Sequence, residues 1–155
     1  VERDLDYIAE LLLEYGADPD MTNHFGLTPI LMSIDRKDEE LAVTLLGYSD
    51  APDTTDNEGK SALHHAVFME SELITEKLIA MGADLELRDS LGKSPLHYVS
   101  GHLSKRVCLD LIEQGVELNC IDSNGNTPLQ LAVRNGNTLI AECLLTLGAD
   151  PNIKD

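Results

Sequence analysis

Glycine recurs every 33 residues along this chain, and no insertion or deletion interrupts the spacing. The positions are Gly26, Gly59, Gly92 and Gly125. Asn or Asp stands three residues before each glycine, and Thr or Ser stands two residues after it. Self-similarity at a fixed period of this length indicates small units stacked in a row, each too short to bury a core alone.

Each feature of the 33-residue unit has a mechanical role. Asp or Asn followed by Gly predicts a tight turn, because Gly adopts positive φ without steric cost. The hydroxyl residue predicts a helix N-cap, and proline fits the first turn of the helix that follows. These cap and first-turn residues are Thr28, Pro29, Ser61, Ser94, Pro95, Thr127 and Pro128. A second amphipathic segment follows in each unit, and most of these segments end at Gly-Ala or a similar pair.

Four segments show the repeated phrase most clearly: "GLTPI", "GKSALHHAV", "GKSPLHYVS" and "GNTPLQLAV". They resemble the G-x-T-P-L-H-x-A phrase of ankyrin repeats. The resemblance implies an all-α solenoid, in which helix–turn–helix units stack side by side and β-turn or hairpin fingers project over a concave groove. It implies one ankyrin-repeat domain over residues 1–155, with a partial repeat at 1–22 and full repeats at 23–55, 56–88, 89–121 and 122–154. Since both ends fall inside a unit, we expect the chain to be a segment of a longer repeat protein.

Two units depart from the family pattern. The unit at 23–55 has Leu31 in the histidine position, lacks a glycine in its loop "DRKDEE", and has "YSDAPD" in place of Gly-Ala-Asp. The unit at 89–121 has Val99, Ser100 and Gly101 where two alanines are usual. We therefore expect less regular packing in these two units.

The stretch "EGKSALHHAV" at 58–67 places Ser61 beside His64 and His65, as a catalytic or metal site could. The repeat offers a simpler interpretation, since Ser61 and His64 return as Ser94 and His97. The resemblance implies that His64 and His97 form hydrogen bonds near the Ser or Thr of their units. We interpret His65 as part of a packed helix face, because Met, Tyr and Leu hold its position in the other units.

No group of residues outside the repeat pattern has the spacing of a reactive site. Zinc needs Cys or His ligands at tetrahedral-site spacing, and a catalytic triad needs a nucleophile beside an oriented base. We predict that the protein is not an enzyme and has no catalytic residues, no metal site, no cofactor and no small-molecule substrate.

The chain is strongly acidic, with a net charge of −17. This charge repels nucleic-acid phosphates and anionic membrane surfaces, so we predict that the protein binds neither. The acid is concentrated in residues 1–77, which contain 18 acidic and 5 basic residues. The distribution favours a partner with a basic surface; alternatively, the charge only maintains solubility.

Three cysteines in an odd, unpaired arrangement favour a reducing compartment, so we expect an intracellular protein of the cytoplasm or nucleus. No apolar run approaches the roughly 20 residues that a membrane span requires, and we expect no signal peptide. We predict no membrane insertion.

In ankyrin repeats the variable residues near the glycine and at the end of the first helix line the concave surface. Both phenylalanines of the chain occupy such positions. The predicted protein-binding residues are Phe25, Leu27, Phe68, Met69, Leu91 and His102. An exposed apolar stripe of this kind marks a binding site; alternatively, the rings fold back onto their own fingers or are covered by a further unit.

The sequence therefore predicts a protein–protein interaction scaffold that binds its partner through the concave surface. The alternative is a regulatory ankyrin segment that docks within a larger enzyme, channel or transcription regulator.

Overall fold

The computed structural model describes residues 2–101 and 105–154, with side chains from Tyr7 onward. These residues form nine α-helices and one 3₁₀ helix, and the described part contains no β-strand beyond an isolated bridge between Thr55 and Ser61. The helices are α1 (Glu2–Glu14), α2 (Pro29–Asp35), α3 (Glu39–Leu46), α4 (Ala62–Phe68), α5 (Glu72–Ala80), α6 (Pro95–Tyr98), α7 (Arg106–Glu113), α8 (Pro128–Arg134) and α9 (Thr138–Thr146), with the 3₁₀ helix at Val99–Gly101.

Helices α2 to α9 fall in consecutive order two to each predicted full repeat, and α1 lies in the predicted partial repeat at 1–22. The first helices of neighbouring units pack on one another, as α2 does on α4, α4 on α6 and α6 on α8. The second helices stack in the same way, α1 on α3, α3 on α5 and α5 on α7. This two-layer stack confirms the predicted all-α solenoid.

The predicted caps begin the first helices. Thr28 accepts a hydrogen bond from the backbone nitrogen of Leu31 at 3.2 Å, and Thr127 accepts one from Gln130 at 3.2 Å. The three prolines of the repeated phrase occupy the first positions of α2, α6 and α8. Each cap satisfies a backbone N–H group that has no partner within the helix itself.

A continuous aliphatic core runs between the two helix layers. Leu63 and Leu96, which occupy the same position in successive units, are each only 1% exposed. Leu78, Leu111 and Leu144 fill the matching position of the second helices and are fully buried. No single unit could bury these side chains, so the stack is held together by contacts between neighbours.

The unit at 89–121 is irregular, as the sequence predicts. Its first helix, α6, ends after four residues and continues as the 3₁₀ helix. Ser100 and Gly101 fall there, and both have lower intrinsic helix propensity than the alanines usual at this point.

The unit at 23–55 departs from the pattern at the end of α3, as expected, because Ser49 does not adopt the positive φ that Gly82, Gly115 and Gly148 have at the equivalent position. Its first helix and the loop that follows are regular, so the expectation is wrong for that part. Helix α2 spans seven residues, as do α4 and α8. The loop after α2 replaces the usual glycine with Lys37, which adopts the left-handed conformation at φ 58°. Glu70 does the same in the next unit at φ 58°, and Gly136 takes the position in the last unit at φ 69°. The loop conformation is therefore kept without glycine, at some steric cost.

Within the described residues, no helix combines the length and the hydrophobicity that crossing a bilayer requires.

Candidate functional site

Four turns project from the starts of the first helices, and we call them fingers: residues 23–27, 56–60, 89–93 and 122–126. One oxygen of the Asp56 side chain accepts hydrogen bonds from the backbone nitrogens of Glu58, at 2.8 Å, and Lys60, at 2.9 Å. A backbone bond from Asp56 to Lys60 at 3.0 Å closes the turn. The equivalent residues Asn23, Asp89 and Asp122 form the same two side-chain bonds.

Neighbouring fingers are joined through their backbones. The nitrogen of Ser90 donates to the carbonyl of Glu58 at 2.8 Å, and that of Ser123 donates to Leu91 at 2.9 Å. A Cβ atom built on Gly92 would lie 2.7 Å from the Ser123 hydroxyl and 2.9 Å from its backbone nitrogen. Glycine is required here for close approach as well as for its φ of 70°. Sequence reasoning identified only the second requirement.

His64 joins its own unit to the next one. Its Nδ1 atom accepts from the Ser61 backbone nitrogen at 3.1 Å and lies 2.9 Å from the Ser61 hydroxyl. Its Nε2 atom lies 3.0 Å from the backbone carbonyl oxygen of Lys93. Since a carbonyl oxygen only accepts, Nε2 holds the proton. The predicted bond to serine is confirmed, and the bond to the following finger is an addition.

The same arrangement returns in the next unit, and the last unit keeps the cap bond with a different second partner. His97 binds Ser94 through Nδ1 at 3.1 Å and the carbonyl of Asn126 through Nε2 at 3.2 Å. In the last unit Gln130 replaces histidine: its Oε1 accepts from Thr127 at 2.7 Å, and its Nε2 donates to Ile153 at 2.8 Å. Sequence reasoning missed Gln130. The signal was its position, 33 residues after His97.

Burial lowers the pKa of both His64 and His97. The rings are therefore neutral at neutral pH, and both nitrogens of each ring are bonded to protein atoms. Neither ring has a nitrogen free to bind a metal or to transfer a proton. Among the described residues, no group of three or more His, Cys, Asp or Glu is arranged to hold a metal ion.

His65 is packed, as interpreted from the sequence, but its contacts are polar. Its Nδ1 atom lies 2.7 Å from Oδ1 of Asp35, at the end of α2, and its Nε2 atom lies 3.1 Å from Oδ2 of Asp56. The ring thereby joins two neighbouring units. Burial alone would raise the pKa of Asp56, but hydrogen bonds from Lys60, His65 and Glu58 lower it.

The position of His65 contacts the finger of its own unit in three successive units. Asn23 donates to the sulfur of Met32 at 3.6 Å, and the Tyr98 hydroxyl donates to the Asp89 carboxylate. Each pair is separated by nine residues, as His65 and Asp56 are. Sequence reasoning grouped these side chains as packed and did not find this shared contact.

A cavity of about 360 Å³ opens between the second finger and the first helices; we call it the Phe68 pocket. Its lining residues are Asp35, Lys60, His64, His65, Phe68, Met69 and Tyr98. The ring of Phe68 is 63% exposed and lies edge-on to Tyr98, with 6.1 Å between the ring centroids. This is the side that the resemblance assigns to the concave surface.

Tyr98 lines the Phe68 pocket and is held by several contacts. Burial and the bond to Asp89 raise its pKa, so the phenol stays neutral. The ammonium groups of Lys60 and Lys93 lie 5.9 Å and 5.6 Å from the centroid of the ring. Lys60 is also paired with Glu58 at 2.7 Å.

The predicted binding residues divide into two groups. Phe25, Phe68 and Leu91 are exposed, whereas Leu27 and Met69 are half-buried and pack against the core. Only Phe68 and Met69 line the Phe68 pocket. The predicted stripe is thus not gathered into one cavity, and His102 lies outside the described residues.

A family model described as ankyrin repeats in three copies matches this chain at residues 1–89 and again at residues 69–155. The two matches together span the whole chain. A search of curated proteins found no match.

Proposed function

Because the chain belongs to the ankyrin-repeat family, we propose that it binds a partner protein on the surface formed by the fingers and the first helices. Ankyrin repeats generally mediate protein–protein interaction. The proposal places the centre of the binding surface at the Phe68 pocket, and it assigns the chain no catalytic role, cofactor or small-molecule substrate.

The exposed ring of Phe68 is the observation that supports the proposal most strongly. The ring lies beside a cavity and makes an edge contact with the half-buried Tyr98. Aromatic side chains held beside a pocket are frequent anchors of protein interfaces, since they lose little conformational entropy on binding. The exposed rings also argue against the alternative that both phenylalanines fold back onto their own fingers.

Charge supports a basic surface on the partner. The net charge of −17 attracts positive groups over several ångströms, and residues 1–77 contain most of the excess acid. Such attraction accelerates encounter more than it tightens the final complex.

We also propose an intracellular location, in the cytoplasm or nucleus. Cys108, Cys120 and Cys143 are all buried and unpaired, which suits a compartment where thiols stay reduced.

The test compares binding by the wild-type chain with two single substitutions in the unit at 56–88. Phe68→Ala removes the proposed anchor. Leu73→Ala is the matched control, since Leu73 is a large apolar residue of the same unit, 50% exposed on the second helix. Partners captured by the wild-type chain are identified by mass spectrometry and titrated against all three proteins.

We expect Phe68→Ala to weaken binding by about 2 kcal/mol or more, as the loss of an anchor residue does. Leu73→Ala should leave the affinity unchanged. The reverse pattern, with binding lost only in Leu73→Ala, would place the partner on the second helices and overturn the proposal.

A further inference from the structure

We infer that the Phe68 pocket receives an arginine side chain of the partner, with the guanidinium stacked on Phe68 and paired with the carboxylate of Asp35. This inference rests on the proposed function, because it names the chemistry of the group that the same surface recognises.

Asp35 presents one carboxylate oxygen that is fixed and one that is open. Its Oδ1 atom is held by His65 at 2.7 Å, while Oδ2 accepts no hydrogen bond within the described part of the chain. The side chain is 41% exposed and lines the pocket. Asp35 is also the last residue of α2, where the carbonyl end of the helix adds negative potential. Both features favour a cation beside Oδ2.

Phe68 offers the second contact that a guanidinium requires. The ring contacts Tyr98 edge-on, with an interplanar angle of 89°. Arginine stacks on aromatic faces and pairs with carboxylates through two parallel N–H groups, whereas lysine provides a single point charge. The cavity of about 360 Å³ has room for one long side chain. The combination of ring and carboxylate therefore selects arginine.

Two lysines lie at the pocket, and their positive charge opposes the attraction of a cation to Asp35. Lys60 is paired with Glu58 at 2.7 Å, and the ammonium group of Lys93 lies 5.6 Å from the centroid of the Tyr98 ring. The surrounding residues 1–77 contain 18 acidic and 5 basic residues, so the long-range field also favours a cation. Lys60 and His65 also line the pocket, so the observations that favour a positive occupant are the open Oδ2 atom of Asp35 and the acidic surroundings.

The experiment uses a phage-displayed library of random peptides, selected on the 155-residue chain. We expect the selected peptides to be enriched in arginine and to lose binding to Phe68→Ala. In a selected synthetic peptide, replacing the arginine with citrulline keeps the shape and removes the charge. We expect this replacement to weaken binding to the wild-type chain by about tenfold or more.

Asp35→Asn should weaken binding of the arginine peptide by a similar factor, and the citrulline replacement should have no further effect on that variant. Asp50→Asn is the matched control, because it removes the same charge from an exposed residue outside the pocket. It should change the affinity much less than Asp35→Asn does.

The two proposals fail in different ways. If peptides bind in a Phe68-dependent manner without arginine, or if citrulline binds as well as arginine, the arginine inference is wrong and the binding surface stands. If the selected peptides bind equally to Phe68→Ala, or if none is selected, the proposed surface fails and the inference fails with it.

Discussion

The Nε2 atom of His64 lies 3.0 Å from the backbone carbonyl oxygen of Lys93, which belongs to the finger of the next unit. One side chain thus caps its own helix and fixes the position of its neighbour. His97 repeats the arrangement with Asn126 of the fourth finger, so the last three fingers are held in register by a ladder of buried polar contacts as well as by the aliphatic core. The ladder positions the fingers beside the Phe68 pocket. Substitutions of its histidines test how much these hydrogen bonds contribute to stability.

We predict that glutamine can replace histidine in the ladder. His97→Gln should lose less stability than His97→Ala, because Gln130 accepts the equivalent hydrogen bond from the Thr127 backbone nitrogen in the last unit and its amide also donates to a backbone carbonyl, that of Ile153. His97→Ala should lower the free energy of unfolding by about 1–3 kcal/mol for each buried polar group left without a partner. Urea denaturation measures both variants. Equal losses in the two would show that the hydrogen bonds contribute nothing specific.

Acidification should destabilise the fold through these histidines. Burial lowers the pKa of His64 and His97 in the folded chain, whereas the unfolded chain takes up protons near pH 6.5. The unfolded state then binds more protons, so stability present above about pH 6.5 is lost as the pH falls toward the lowered folded pKa. The double variant His64→Gln, His97→Gln should lose less stability than wild type between about pH 7 and pH 5.

Thermal denaturation across that range provides the measurement. Hydrogen bonds lower the pKa values of Asp56 and Asp122 despite burial. These two carboxylates therefore affect stability only at more acidic pH, and their effect serves as an internal reference. An unchanged pH dependence in the double variant would contradict the assignment.

Two glycines with similar φ values allow the stability cost of the left-handed conformation to be measured separately from the cost of losing close packing. Gly92 has φ 70° and touches the next finger, whereas Gly82 has φ 82° and nothing within 4 Å of a built Cβ. Gly82→Ala should cost about 1 kcal/mol or more for the left-handed conformation alone. Gly92→Ala should cost clearly more, because Ser123 must also shift. Equal costs in urea denaturation would show that finger contact is unimportant.

The acidic surface should act on the rate of partner association. Salt shortens the range of electrostatic attraction to about 8 Å at physiological ionic strength, so the association rate constant should fall as salt is added. Stopped-flow measurements with an identified partner test this expectation, with the dissociation rate as the comparison. A salt-independent association rate would leave solubility as the role of the charge.

The sequence predicted the repeated parts of the molecule well, because each of them depends on local rules. Thr28 and Thr127 cap helices, and Leu63 and Leu96 fill the same buried position, through chemistry that the 33-residue spacing makes visible. The irregular first helix at Ser100 and Gly101 was also expected, from the departure of these residues from the family pattern. Lys37 was misjudged, since stacking with neighbours holds its loop in a conformation that its own sequence disfavours.

The site was less predictable because its contacts join different units. Asp35 and His65 are 30 residues apart, and no local pattern indicates that their side chains meet. Tyr98 was grouped with packed side chains, although its hydroxyl binds Asp89 and its ring forms the wall against Phe68. The exposure of Phe68 could be predicted from its position in the repeat. The pocket beside it could not, because its lining residues come from three stacked helices.

The most direct test of the account is a paired measurement on Phe68→Ala: its affinity for an identified partner by calorimetric titration, and its free energy of unfolding by urea denaturation beside that of Leu96→Ala. Leu96 is 1% exposed, so Leu96→Ala should cost about 2–5 kcal/mol of stability. Phe68→Ala should cost much less stability and about 2 kcal/mol or more of binding. If Phe68→Ala unfolds as readily as Leu96→Ala, or binds as tightly as wild type, Phe68 is not the anchor of the binding surface.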